Sequence, residues 1–188
     1  MKNSVTRKLV YGALMVALAT VLSLFTLFKA PYGGSVTFGS MVPIVLFSLL
    51  FETRWGLLTA FAYSLLQMLL GFSAPPVQDF ASFAAVVLLD YVIAFTVLGL
   101  AGAIARRFKN GIVGAGVGTV CVMAMRFACH FLSGIVIWDV YAPEGMPVWL
   151  YSLGYNGFYM LFEMLISVVV IMLLWKFLPV KKLTAVRS

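Results

Sequence analysis

An all-α membrane protein of about six transmembrane helices in one bundle, with both termini cytoplasmic, is the fold class this sequence predicts. Three observations carry that expectation: extreme apolarity, the spacing of the apolar runs and the alternation of the basic residues. Of 188 residues, 63% are hydrophobic and only 10% are charged, and the mean hydropathy is +1.08. Soluble domains are about half apolar and about a quarter charged, so a bilayer is the solvent this composition fits. At about 20 apolar residues per crossing, the length holds roughly six spans and no soluble catalytic domain. The chain, residues 1–188, reads as a single membrane domain.

Hydropathy places the helices near residues 9–28, 38–52, 55–71, 82–105, 112–138 and 150–175. The first follows Lys2, Arg7 and Lys8 and ends without a small-residue cleavage site, so it reads as a retained span rather than a signal peptide. The second is short and follows Pro31-Tyr32-Gly33-Gly34-Ser35, which predicts a tilted, broken or partly re-entrant element. In the fifth, the run Gly114-Ala115-Gly116-Val117-Gly118 superficially resembles a dinucleotide-binding loop. Lying inside an apolar helix rather than between a strand and a helix, it predicts close helix packing instead. Cys121 and Cys129 fall on that helix about 12 Å apart, too far for a disulfide.

Orientation follows from the basic residues. The N-terminus, Arg54, the loop with Arg106, Arg107 and Lys109, and the tail from Lys176 to Arg187 hold eleven of the 13 Lys and Arg. These four segments belong on the cytoplasmic side. The opposite loops carry Lys29, Asp79, Asp139 and Glu144, with Tyr32, Trp138, Tyr141 and Trp149 near that water interface. The net charge of +7 is spread over these short clusters, which argues against nucleic-acid binding. No metal-ligand cluster, Walker sequence or nucleophile and base pairing is present, so neither metal, ATPase nor other catalytic chemistry is assigned to the chain.

An ionisable group inside a span is costly and needs a partner, a cavity or a ligand. Asp90, Arg126, His130, Asn156 and Glu163 are the polar groups at membrane depth. Counting inward from the outer helix ends, Asp90 and His130 lie about 12 Å down and Asn156 about 9 Å. Tyr91 adjoins Asp90, Trp138 lies two turns outward from His130, and Tyr151 stands above Asn156. A carboxylate among aromatic rings suits a small organic cation, and amide, imidazole and phenol groups add directional hydrogen bonds. Arg126 and Glu163 lie deeper, at about 18 and 20 Å, where a buried ion pair is the expectation. Glu163 with His130 also admits a proton relay, although no file of titratable groups continues to the cytoplasmic side. In the first helix Ala13 and Ala17 share a face on which another helix can dock.

These residues resemble a known family. His130-Phe131-Leu132-Ser133-Gly134-Ile135-Val136-Ile137-Trp138, followed by Tyr151-Ser152-Leu153 and Asn156-Gly157, is similar to the signature of the thiamin-specific S component of energy-coupling-factor (ECF) transporters. Leu89-Asp90-Tyr91 with Leu98-Gly99-Leu100-Ala101-Gly102 resembles that family's fourth helix, and Ala13 with Ala17 its small-residue motif on the first. The resemblance implies a six-helix, multi-pass protein of a prokaryotic plasma membrane that captures thiamin from outside. It implies partners too: a membrane coupling subunit and two ATPase subunits that hydrolyse the ATP, with no cofactor in this chain. Asp90 matches a binding glutamate, Tyr91 an aromatic neighbour, and His130, Trp138, Tyr151 and Asn156 the remaining ligand positions. Ala13 and Ala17 match the contact to the coupling subunit. Three departures stand out: an aspartate one methylene shorter, Gly34 where the family's outer loop has a tryptophan, and a longer loop at residues 73–80. The rival readings are a solitary proton-coupled permease for a vitamin or heterocyclic precursor, and a structural membrane protein.

Overall fold

A computed structural model of the chain describes residues 5–29 and 34–177. In chain order the elements are α1 (Val5–Leu24), the strands β1 (Thr26–Lys29) and β2 (Ser35–Thr37), then α2 (Val42–Leu50) and α3 (Thr53–Gly71). They are followed by α4 (Phe80–Ala105), α5 (Gly111–Val136), a one-turn helix at Asp139–Tyr141, and α6 (Val148–Phe177). Among the described residues α1, α4, α5 and α6 are long and apolar enough to cross a membrane. The interface position expected for Tyr32, and the basic tail beyond Phe177, lie outside the described residues.

The first apolar run does not stay helical to residue 28. Its end turns into β1, which pairs antiparallel with β2 in the register Thr26 with Thr37, Phe28 with Val36 and Lys29 with Ser35. The segment Thr-Leu-Phe-Lys joins a β-branched to an aromatic residue, and in so short an apolar stretch periodicity does not separate strand from helix. Pairing with a neighbouring strand decides the outcome.

The brevity expected of the second helix is real and has a structural reason. Only nine residues are helical, about 14 Å of rise, with proline near the start, where a missing N–H is harmless. Residues Val42 to Leu49 are all buried, and so are Val36 and Thr37 of the preceding extended chain. Non-helical backbone at membrane depth survives only where protein surrounds it, and here it does.

Small residues set the helix spacings. The Ser48 hydroxyl of α2 donates to the Gly99 carbonyl at 2.7 Å and accepts the Gly102 N–H at 3.0 Å. Gly99 belongs to a 3-10 turn of α4 at Val97–Leu100, and Ser48 satisfies one backbone group inside that turn and one just after it. A Cβ on Gly102 would overlap the Ser48 carbonyl, and one on Gly118 the Ala101 carbonyl. The glycine run of α5 is therefore a packing surface, Gly114 and Gly118 for α4 and Gly116 for Met172 of α6, as its place in an apolar helix predicts. Asp79 caps α4 through the Ser82 N–H at 2.7 Å, and Asn110 caps α5 through the N–H groups of Ile112 and Val113. Higher in α4, Val87–Val92 forms a π-helical turn, a widening frequent at functional sites. Asp90 and Tyr91 lie on it. The two cysteines are free thiols.

Candidate ligand-binding site

A cavity of about 460 Å³ opens between α4, α5 and α6, within the range of about 300–1,000 Å³ usual for small-molecule sites. All six residues marked from sequence as ligand contacts line it: Asp90, Tyr91, His130, Trp138, Tyr151 and Asn156. Three helices thus contribute side chains to one cavity.

At its centre the Asp90 carboxylate is held from two sides. One oxygen lies 3.1 Å from His130 Nδ1, and the other accepts the Trp138 indole N–H at 3.0 Å. Trp138 also reaches the Ser133 hydroxyl at 3.1 Å, so one turn of α5 orients the ring. With Nδ1 turned to the carboxylate, His130 Nε2 is left buried without a hydrogen-bond partner among the described residues, available to a bound molecule. The carboxylate and imidazole are only 15% and 12% exposed, which keeps their field from being screened by water.

Asn156 ties α6 to α5. Its Nδ2 donates to the His130 carbonyl at 3.1 Å and to the Ser152 hydroxyl at 3.2 Å, while Oδ1 accepts from Tyr159 at 3.2 Å. Both amide hydrogens are taken by protein, which leaves one lone pair on Oδ1 for a ligand. Asn156 is therefore first a brace and second a ligand contact. Tyr91 is fixed from the other side, donating to the Gly71 carbonyl at 2.7 Å and accepting the Ser73 N–H at 3.0 Å. The loop after α3 is thereby joined to the cavity wall.

The ion pair expected between Arg126 and Glu163 is absent among the described residues. Glu163 accepts the Thr37 N–H at 2.5 Å and the Thr37 hydroxyl at 2.8 Å. Two donors from the extended chain before α2 reach the carboxylate, which depth along the helices alone does not foresee. Arg126 instead lines the cavity, its guanidinium carbon 3.8 Å from the centre of the Phe95 ring. Sequence reading also passed over Tyr155 and Tyr159, which line the cavity with Tyr151. Their four-residue spacing puts all three on one helix face and was a usable signal. Gly34, where the resembled family has a tryptophan, takes a left-handed φ of 76° and lies against the Tyr159 ring, which any Cβ there would overlap. At the other side of the molecule Ala13 and Ala17 face outward from α1, while Gly12 and Ala19 face in.

Comparison with known proteins identifies relatives of the chain. The model of the family described as thiamine transporter protein (Thia_YuaJ) matches residues 9–183. Thiamine transporter ThiT of Bacillus subtilis strain 168 is 34% identical over 185 residues, covering 92% of each chain. The protein of the same name from Lacticaseibacillus paracasei is 36% identical over 93 residues, 45% of this chain and 46% of that protein. A solved structure of ThiT from Listeria monocytogenes superposes with a TM-score of 0.75 at 23% identity, over 94% of this chain and 96% of that one, and shares its fold. A transporter rather than an enzyme, with several apolar helices of membrane-spanning length, the chain belongs to the thiamine transporter protein (Thia_YuaJ) family.

Proposed function

We propose that this chain is a thiamin-capturing S component of an ECF-type transporter, a single domain crossing the membrane six times with both termini cytoplasmic. The observation that carries the reading is the Asp90 carboxylate, held by His130 and Trp138 in the wall of an aromatic-lined cavity. A thiazolium ring brings a delocalised positive charge that pairs with Asp90 and stacks on Trp138. Tyr91 and Tyr151 complete the aromatic wall. His130 Nε2 and Asn156 Oδ1 hold the polar edges of the ligand.

Among the described residues no hydrogen bond joins the buried glutamate to the histidine, as a relay would need. Glu163 accepts from Thr37 through Oε1, whereas His130 faces Asp90. Uptake therefore draws its energy from partner subunits: a membrane coupling subunit docked on the outward face of Ala13 and Ala17, and two ATPases that hydrolyse ATP. The assigning experiment is equilibrium binding of thiamin to the detergent-purified chain, followed by quenching of tryptophan fluorescence. Saturable tight binding is expected; a folded chain that does not bind thiamin overturns the reading.

A further inference from the structure

α4 departs from α-helical geometry twice, and the two departures have opposite senses. At Val87–Val92 the turn is π-helical, and the Ile93 N–H reaches back five residues to the Leu88 carbonyl. At Val97–Leu100 it is a 3-10 turn, and the Ala101 N–H reaches back only three, to the Leu98 carbonyl. A single α-helical turn, Ile93–Thr96, separates them. An α-helix closes its bonds over four residues, so the first departure holds one residue too many and the second one too few. One residue is about 100° of rotation around the helix axis. A π turn alone would leave everything after it on the wrong face, and the tight turn gives that rotation back.

Packing fixes the phase of α4 on both sides of this pair. Below it, a Cβ on Gly99 would overlap the backbone of Gly56 and Leu57 in α3, and one on Gly102 the Ser48 carbonyl, so these two positions must face α3 and α2. Above it, Tyr91 is bonded to Gly71 and Ser73, and Asp90 to Trp138. The tight turn is what reconciles the two halves, and a side chain from another helix holds it. In a regular α-helix the Gly102 N–H would be directed to the Leu98 carbonyl, which here takes the Ala101 N–H. The fully buried Ser48 hydroxyl accepts the Gly102 N–H at 3.0 Å and donates to the Gly99 carbonyl at 2.7 Å, supplying an acceptor where the ladder changes spacing. We infer that Ser48 is a positioning residue for ligand binding: by holding the tight turn of α4 it preserves the π turn and with it the direction of the Asp90 carboxylate. Ser48 does not line the cavity, and Gly99 lies about 13 Å along α4 from Asp90. The inference rests on the thiamin reading and adds to it a residue that acts on the charge partner from outside the site.

The test is a double-mutant cycle of Ser48→Ala with Asp90→Asn, read by calorimetric titration of thiamin into the full chain purified in detergent. Ser48→Ala leaves the Gly102 N–H free to take the Leu98 carbonyl, so the tight turn relaxes and Asp90 turns away from the ligand. In the otherwise wild-type chain it is expected to weaken thiamin binding about fivefold or more. In the Asp90→Asn background the same change is expected to cost less than about twofold, because the charge that Ser48 directs is gone. A neutral thiamin analogue, with a benzene ring in place of the thiazolium, puts the same question from the ligand side: its affinity is expected to change less than about twofold with Ser48→Ala. Equal losses in both backgrounds, or for thiamin and the neutral analogue alike, assign Ser48 to general packing and overturn the inference. Unchanged thiamin affinity in a folded Ser48→Ala chain does so too, and in each case the thiamin reading stands. Wild-type protein that does not bind thiamin removes the reading and the inference together. Ligand-free thermal midpoints are the folding check. Ser48→Cys, which keeps a weaker donor and acceptor in the same place, enters the cycle if Ser48→Ala does not fold, with a smaller loss in the same pattern.

Discussion

Where α5 meets α6, polar side chains reach across the boundary. Ser152 donates to the Phe131 carbonyl at 2.8 Å, and Asn156 links the His130 carbonyl to Tyr159. The side of the bundle built on α1 is different. Its inward face is Gly12, Val16 and Ala19, its polar contacts include Lys8 with Glu52 and Ser23 with Gln67 near its ends, and Leu9, Leu14 and Leu18 point outward. Directional bonds fix one geometry, and so suit the wall of a binding cavity. A smooth apolar surface has no such preference, and can exchange lipid for another protein without leaving a polar group unpaired. One molecule thus keeps rigidity for recognition on one side and adaptability on the other.

The sharpest way to break the polar side is Asp90→Asn. The pairing of a desolvated charge is worth about 2–5 kcal/mol, so thiamin affinity should fall roughly thirtyfold or more, read by fluorescence titration. A loss under fivefold would mean that the cation rests on the aromatic rings instead. Next comes Gly134→Ala on α5, whose new Cβ would crowd the Ser152 hydroxyl. Overpacking of this kind costs about 1–3 kcal/mol, expected as a lower thermal midpoint in detergent. Gly154→Ala on α6 meets open space and is the matched control; equal effects from the two would show that helix propensity, not the α5 and α6 contact, is being measured.

Glu163→Gln weakens charge-assisted bonds to Thr37 and should cost about 1 kcal/mol of stability. Thiamin affinity should change less than threefold, and any uptake by the chain alone that depends on Glu163 would revive a proton-coupled mechanism. On the α1 side, Ala13→Trp and Ala17→Trp should leave thiamin binding by the purified chain unchanged. Uptake reconstituted with a coupling subunit and its ATPases should be lost, and normal uptake would place the docking face elsewhere.

Much of this comparison is legible in the sequence. The long apolar runs mark α1, α4, α5 and α6 because lipid imposes the same demand on every turn of a span. Asp90, His130 and Asn156 stand out because polar groups are rare at that depth, and they come from three helices to line one cavity. The hairpin is not legible in the same way: Thr26–Lys29 continues an apolar run, and its fate depends on pairing with Ser35–Thr37. Nor is the partner of Glu163, since counting along helices says nothing about an extended segment that enters the bundle from outside them. Arg126 meets the Phe95 ring and Glu163 meets Thr37, so a similar height along the helices does not pair them.

The short α2 has an electrostatic consequence. A helix that crosses the whole bilayer presents the ends of its backbone dipole to water, where they are screened. α2 starts five residues after Thr37, the residue that holds Glu163, with Ser40 between them bonded to the Thr37 hydroxyl at 2.8 Å. Its amino end, equivalent to roughly half a positive charge, is therefore buried close to a buried carboxylate. In this protein the second helix contributes a fixed partial charge inside the membrane, and its length matters less than where it begins.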